Sequence, residues 1–259
     1  MPAFADLSAP LLASAFDAET SPWPAHGGQL FGVAAGALTV EVADGLWVVP
    51  PGHAAWVPPQ LLRHLTPHGP CTGWRLQVGE AACVDLPGAA CVTVPTGLLR
   101  EAATRASTWN DGPRDAPRWR IAGVILDELR ALVAVPSLAL PWPADAGLRA
   151  VAEAMREHLA HDPGLDHWAA LAGVASRTLT RHFLAETGLS VGDWRQRARL
   201  LRALEGLAAG RAADELATPL GYDSVRTFTA MFRRETGVAP GRYFGDGAAR
   251  VRGAEADEG

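Results

Sequence analysis

The chain carries RTLTRHFLAETG at residues 177–188 and RTFTAMFRRETG at residues 226–237, forty-nine positions later. Aligned without gaps over 177–194 and 226–243, eight of 18 positions are identical, and Trp194 falls opposite Tyr243. Two copies are too few for a solenoid and fit a compact unit used twice. A short apolar helix precedes each copy, HWAALAG at 167–173 and DELATPLG at 214–221. Each ends in a glycine, Gly173 or Gly221, where a left-handed turn is sterically cheap. Ser176 in the first copy, and Asp223 with Ser224 in the second, stand where a helix cap is expected. The helix that follows places Leu179 and Phe183, or Phe228 and Phe232, on one face at i and i+4. It stops at Gly188 or Gly237. Helix, glycine turn and second helix spell a helix-turn-helix. From turn glycine to buried Phe is ten steps in one copy and eleven in the other.

Such a unit offers the outer face of its second helix to a DNA major groove. In the first copy that face and its leading edge hold Ser176, Arg177, Thr178 and Arg181; in the second, Ser224, Val225, Arg226 and Thr229. Arg pairs with guanine edges, and Thr with bases or phosphates. Arg233, with Arg234, suits phosphate contact or a solvated face. Between the copies, residues 190–210 read as one helix opened by Ser190 and Asp193 as a variant capping box. It has an apolar stripe of Leu200, Leu204 and Leu207 and a basic one of Arg195, Arg199 and Arg202, of which Arg195 and Arg199 could pair with acids instead. About 16 helical residues span about 24 Å. With the radii of the two units added, the recognition helices come to lie about 34 Å apart, one turn of DNA. The competing reading is a helical bundle containing a duplicated hairpin. Pro219 requires the first helix of the second unit to end or kink there. Gly206 inside the long helix costs about 1 kcal/mol relative to Ala and predicts a softer second unit.

Upstream the pattern changes. QLFGVA (29–34), ALTVEV (37–42), GLWVV (45–49), HAAWV (53–57) and GWRLQV (73–78) are β-branched or aromatic runs separated by Gly, Pro and Asp44-Gly45. They predict a small antiparallel barrel or sandwich. Residues 96–106 and 119–134 read as helices, the second with Ile121, Val124, Ile125, Leu129, Leu132 and Val133 at helical spacing. That face either packs on its own barrel or pairs with a second chain. Residues 109–117 read as a loop, and the three prolines of 136–147 break any helix.

The 259 residues carry a net charge of −5, unevenly spread. Residues 1–148 hold 8 Arg and 13 acids, whereas residues 149–244 hold 13 Arg and 11 acids. All 23 basic residues are Arg. No apolar run reaches the roughly 18 residues of a membrane helix, and the first 20 residues lack a signal peptide's basic n-region. The expected address is the cytoplasm, with no membrane partner. Cys71, Cys83 and Cys91 are an odd set, expected to be reduced and partly buried.

The stretch LAGVASRTLTRHFLAETGLSVGDWRQRARLLRAL, together with ELATPLGYDSVRTFTAMFRRETGVAPGRYF, resembles the AraC/XylS family of transcription regulators. The closing Gly237-Val-Ala-Pro240-Gly-Arg-Tyr243 matches that family's Gly-x-x-Pro-x-x-Tyr/Phe, and the resemblance covers about 95 residues. Residues 28–59 and 86–102 are similar, more loosely, to the cupin-like sensor of one branch of the family. In that branch a His-x-His precedes the Gln-Leu; here only His26 stands upstream, and His64 follows QLLR. The resemblance implies an α+β chain. A cupin-like sensor with a helical C-terminal part would occupy 1–135 and a linker 136–147. A double helix-turn-helix domain over 148–245 and a polar tail over 246–259 would complete it. It implies sequence-specific binding of double-stranded DNA, controlled by a small-molecule effector, with RNA polymerase and a second copy of the chain as possible partners.

Effector candidates are His26, Trp47, Trp56, His64 and Trp74, the tryptophans either lining a pocket or filling a small barrel's core. His64, His68 and Cys71 carry donors that zinc or nickel accepts, although Pro67 and Pro70 suit a loop rather than a cage. No cofactor is expected, nor an enzyme, since no Ser-His-Asp set, phosphate loop or paired carboxylate is recognisable. A cupin-type metal enzyme with a helical appendage is the alternative class. An effector-independent regulator of the same family is the other.

Overall fold

The computed structural model describes residues 12–16, 27–109 and 115–244. The strands are β1 (Leu12–Phe16), β2 (Gly28–Val42), β3 (Gly45–Val49), β4 (Ala54–Val57), β5 (Leu62–Val78), β6 (Cys91–Thr93) and β7 (Ala139–Pro141). They form one antiparallel sheet ordered β1-β5-β2-β3-β7, with β4 bridging β2 and β6. Its curl produces the nearly closed barrel expected from the alternating runs.

Two of the predicted strands, 29–34 and 37–42, are a single strand. β2 runs through both halves and bends at register shifts between Val33 and Ala37. Gly36 makes the bend possible. Its φ is +68°, and a Cβ there would lie 2.8 Å from Cys71 Cα and from two carbonyl oxygens of the facing strand. The expected loop around Pro67 and Pro70 is likewise strand, for β5 begins at Leu62 and pairs Pro67 with Leu38. β1 covers only Gly73–Gln77 on the other side of β5. The prolines therefore sit where no ladder N–H is required.

Two helices pack against the barrel. α1 (Gly97–Ala106) is capped by Thr96, whose hydroxyl accepts the Leu99 N–H. α2 (Ala116–Arg130) starts three residues before the predicted helix, with Asp115 as cap and Pro117 in its first turn. It ends at Arg130, which leaves Val133 beyond it and 77% exposed. Ala122, Ile125, Leu126 and Leu129 pack with Leu99 and Ala103 of α1 and with Trp56, Trp74 and Leu76 of the barrel. The barrel face of α2 is thus used within the chain.

Residues 136–147, expected as a linker, contain β7, which pairs with β3. Beyond it lie α3 (Ala146–Glu157), α4 (Leu165–Leu171), α5 (Ser176–Thr187), α6 (Val191–Ala208), α7 (Ala213–Ala217), α8 (Val225–Thr236) and α9 (Pro240–Tyr243). A second core runs without a break from Phe31, Leu38 and Val40 of the barrel to Phe183, Trp194, Leu204 and Phe232. No helix among the described residues is long and apolar enough to cross a membrane.

Candidate nucleic-acid interface

The repeated sentence is two copies of one folded unit. α4, a left-handed Gly173 (φ +68°) and α5 make the first; α7, Gly221 (φ +81°) and α8 make the second. α5 and α8 are each 12 residues long, so the extra residue of the second copy falls wholly in its turn. α7 ends at Ala217, two residues before Pro219, which removes the conflict that proline would cause in a helix.

Most of the shared residues build the unit rather than its outer face. Phe183 meets Trp194 edge to face at 5.9 Å, and Phe232 meets Tyr243 likewise at 5.3 Å. Burial pushes the Tyr243 hydroxyl up to about 12. Thr187 donates to Phe183 O at 2.6 Å and accepts from Leu189 N at 3.2 Å. Thr236 repeats this with Phe232 O and Val238 N. Gly188 and Gly237 follow at φ +71° and +76°, so Thr-Gly is a matched C-terminal cap. The Glu before it is used differently. Glu186 accepts the Ala144 and Asp145 N–H groups at the entrance to α3, whereas Glu235 pairs with Arg234.

The outer faces hold the residues the sequence assigned to DNA. Arg177, Arg181, Ser224, Val225, Arg226 and Arg233 are exposed, and Thr178 and Thr229 are half-buried. Arg177, Arg226 and Arg233 have no side-chain hydrogen bond or ion pair among the described residues. Arg181 leans on His182 Nε2 at 3.1 Å. An open cleft of about 600 Å³ lies along α8, lined by Val225, Arg226, Thr229, Ala230, Arg233 and Arg234. Ala230 occupies the position that Arg181 holds in the first unit, so the two faces are not equally basic.

Ser176 departs from its expected role. Ala175 is the cap residue of α5, and the Ser176 hydroxyl donates to Asp166 at 2.5 Å, tying α5 to α4. Ser224 does cap α8, accepting the Thr227 N–H.

The long helix α6 has 18 residues, about 27 Å at 1.5 Å per residue, and Ser190 caps it as expected. Arg195, Arg197 and Arg199 face inward, whereas Arg202 is exposed and pairs with Glu205. Arg195 is 3% exposed; it pairs with Asp162 and donates to His161 O at 2.7 Å. Arg199 donates twice to Leu159 O, and Arg197 to Ala139 O. Burial lowers the pKa of Arg197 and Arg199. These side chains clamp α6 to the segment between α3 and α4 and to β7. Periodicity could not reveal this, because it does not say which side of a helix is covered. Gly206 faces α7: a Cβ there would stand 2.5 Å from Leu216 Cδ2, so the Leu216 side chain fills the space the glycine leaves where α7 meets α6.

In the barrel, each candidate tryptophan fills the space of a missing Cβ. The Trp47 ring lies against Gly45, Trp56 against Gly28 and Trp74 against Gly32. Trp56 also donates to Pro87 O at 2.7 Å. His26 lies outside the described residues. His64 is exposed opposite Glu41. His68 meets Thr39 Oγ1 at 2.8 Å, and Cys71 is buried, its thiol pushed up to about 11. No group of three or more His, Cys, Asp or Glu among the described residues is arranged to hold a metal ion. His64, His68 and Cys71 therefore do not form the donor cluster their spacing suggested. The three cysteines are free thiols.

A family described as a helix-turn-helix domain matches residues 168–246. The HTH-type transcriptional regulator NimR of Escherichia coli is 33% identical over 229 residues, spanning 88% of this chain and 83% of NimR. The HTH-type transcriptional regulator RipA of Corynebacterium glutamicum is 36% identical over 109 residues, 42% of this chain and 32% of RipA. Among solved structures, the DNA-binding domain of AdpA in complex with a target DNA is 29% identical, with a TM-score of 0.36 over 44% of this chain and all of that one.

Proposed function

The chain belongs to the AraC/XylS family of transcriptional regulators, and from that premise we propose how it reads DNA and what its barrel does. It is a DNA-binding transcription regulator. α5 and α8 enter successive major grooves on one face of the duplex, and α6 sets their separation. Arg177, Thr178, Arg181, Val225, Arg226 and Thr229 make the groove contacts, Ser224 an edge contact, and Arg233 a phosphate contact. The observation that carries this reading is the contrast among the arginines. Arg195, Arg197 and Arg199 of α6 are spent on backbone carbonyls and Asp162, and Arg202 on Glu205, while Arg177 and Arg226 stand exposed and unpaired among the described residues at equivalent places on two matched helices. A bundle with a merely duplicated hairpin has no use for that arrangement.

The residues 1–135, 136–147 and 148–245 act as sensor, connector and reader. The sensor answers a small-molecule effector in the cytoplasm and catalyses no reaction. His26, His64 and the three tryptophans are the residues to vary first in search of it. RNA polymerase and a second copy of the chain are the remaining partners in this reading.

The test is binding of the full chain to the DNA flanking its own gene, against a random duplex of equal length at matched salt. A discrete protected site with two contacted grooves on one face is expected, with affinity falling steeply as salt rises. Equal, weak binding to both duplexes across added metabolite pools would refute it.

A further inference from the structure

Glu205 is 5% exposed, on the last full turn of α6. Its carboxylate faces the barrel. Thr39 of β2 donates to Oε1 at 2.9 Å, and Arg202 donates to Oε2 at 3.0 Å. His68 of β5 lies 3.9 Å from Oε1 and 2.8 Å from the Thr39 hydroxyl. A hydroxyl has one hydrogen, and here it points at the carboxylate. His68 Nε2 therefore carries the hydrogen it gives to Thr39. The result is a directed chain, His68 to Thr39 to Glu205, crossing from the barrel to the DNA-binding domain. A buried carboxylate is costly unless its partners are in place, so the contact holds one geometry and resists others.

The neighbouring residues of α6 say what that geometry controls. Gly206, one position on, is where Leu216 of α7 closes against the helix. Ala208 is where the barrel's Gly69 presses on the backbone, a Cβ on Gly69 falling 1.9 Å from Ala208 O. One turn of α6 thus meets the β2–β5 ladder and the second helix-turn-helix together. The first unit packs near the other end, through Trp194 and Phe183.

We propose that the His68–Thr39–Glu205 contact is the joint by which the barrel sets the placement of the second recognition helix, leaving the first untouched. The inference rests on the two-groove reading above. The strands that line the barrel thereby carry its state to α8.

The test uses the full chain and a duplex selected by the wild-type protein from a random pool, with two scrambled versions, one lacking each groove's contacts. Thr39→Val removes the hydroxyl without altering α6, and Thr39→Ser restores it. Thr39→Val is expected to weaken binding to the intact duplex at least tenfold. Binding to the duplex scrambled under α8 should stay within twofold of wild type, and Thr39→Ser should recover the loss. Glu205→Gln should act in the same way and non-additively with Thr39→Val. Equal losses on all duplexes, no loss with Thr39→Val, or a gain of similar size would each overturn the joint. If the wild-type chain selects no duplex at all, the DNA reading itself falls and the inference with it.

Discussion

Arg177→Ala tests the interface at an exposed, unpaired arginine of its first helix. The side chain is exposed, has no partner among the described residues, and stands on a helix where Ala is the best helix former. Unfolding free energy should change by no more than about 0.5 kcal/mol, so any loss of binding belongs to the complex. A guanidinium bidentate on guanine contributes about 1–3 kcal/mol of discrimination. At about 1.4 kcal/mol per decade, that is roughly a 5- to 150-fold weaker Kd on the specific site. On a random duplex only phosphate attraction is lost, and the slope of log K against log salt should fall by about one. Fluorescence anisotropy on both duplexes, at several salt concentrations, separates these terms. Equal losses on the two would reduce Arg177 to a phosphate contact. No loss on either would remove α5 from the interface.

Three further outcomes follow from the packing. Thr187→Val keeps the shape but strands the Leu189 N–H beside an 8% exposed side chain. It should cost about 1–3 kcal/mol in urea denaturation, and Thr236→Val, at a half-buried position, should cost less. Gly69→Ala should cost about 1–2 kcal/mol for its left-handed backbone alone (φ +68°), before the clash with Ala208 O, and a melting curve like wild type would contradict the interdomain fit. Burial lowers the pKa of His53 against a smaller opposing effect of the Pro51 carbonyl. It lowers that of His68 too, where Glu205 opposes the shift while Arg202 and Arg156 add to it. The unfolded chain then binds more protons below the ordinary value of 6.5, so stability is lost as pH falls from neutrality through that region. Urea midpoints should decline between about pH 7.5 and 5.5, and less steeply in His53→Asn/His68→Asn. A rising midpoint would refute the sign.

The reader domain was legible because its grammar is local. Gly173, Gly221, the Thr-Gly caps and the i, i+4 aromatics each state a requirement within a dozen residues. The barrel's strands were legible as alternation, but not their joins. Gly36 reads as a break although it is a bend, and Pro67 reads as a loop because the sequence does not show which strand edge lies uncovered. α6 misled in another way, since a stripe of arginines looks the same whether it faces phosphate or the backbone carbonyls of neighbouring segments. The Glu205 contact left no local trace, its barrel partner standing 166 residues away. The unequal use of Glu186 and Glu235 was also invisible, because both copies spell the same triplet.

The strand β7 has a consequence for how such chains can be recombined. Residues 139–141 close one edge of the barrel, yet by position they belong to the passage between its halves. The next residues are held on both sides: Trp142 N–H by Asp44 O, Ala144 and Asp145 by Glu186, and Arg149 against the Trp142 ring and Ala43 O. A chimera cut ahead of residue 136 would strip the donor barrel of a strand and hand the recipient a foreign one. The same graft cut after Pro141 moves the barrel with its own edge and must then supply a turn that matches Trp142 and Arg149. Inheritance of a new sensor by this kind of reader is therefore a matter of exchanging an interlocked seam, not of changing the bead on a string.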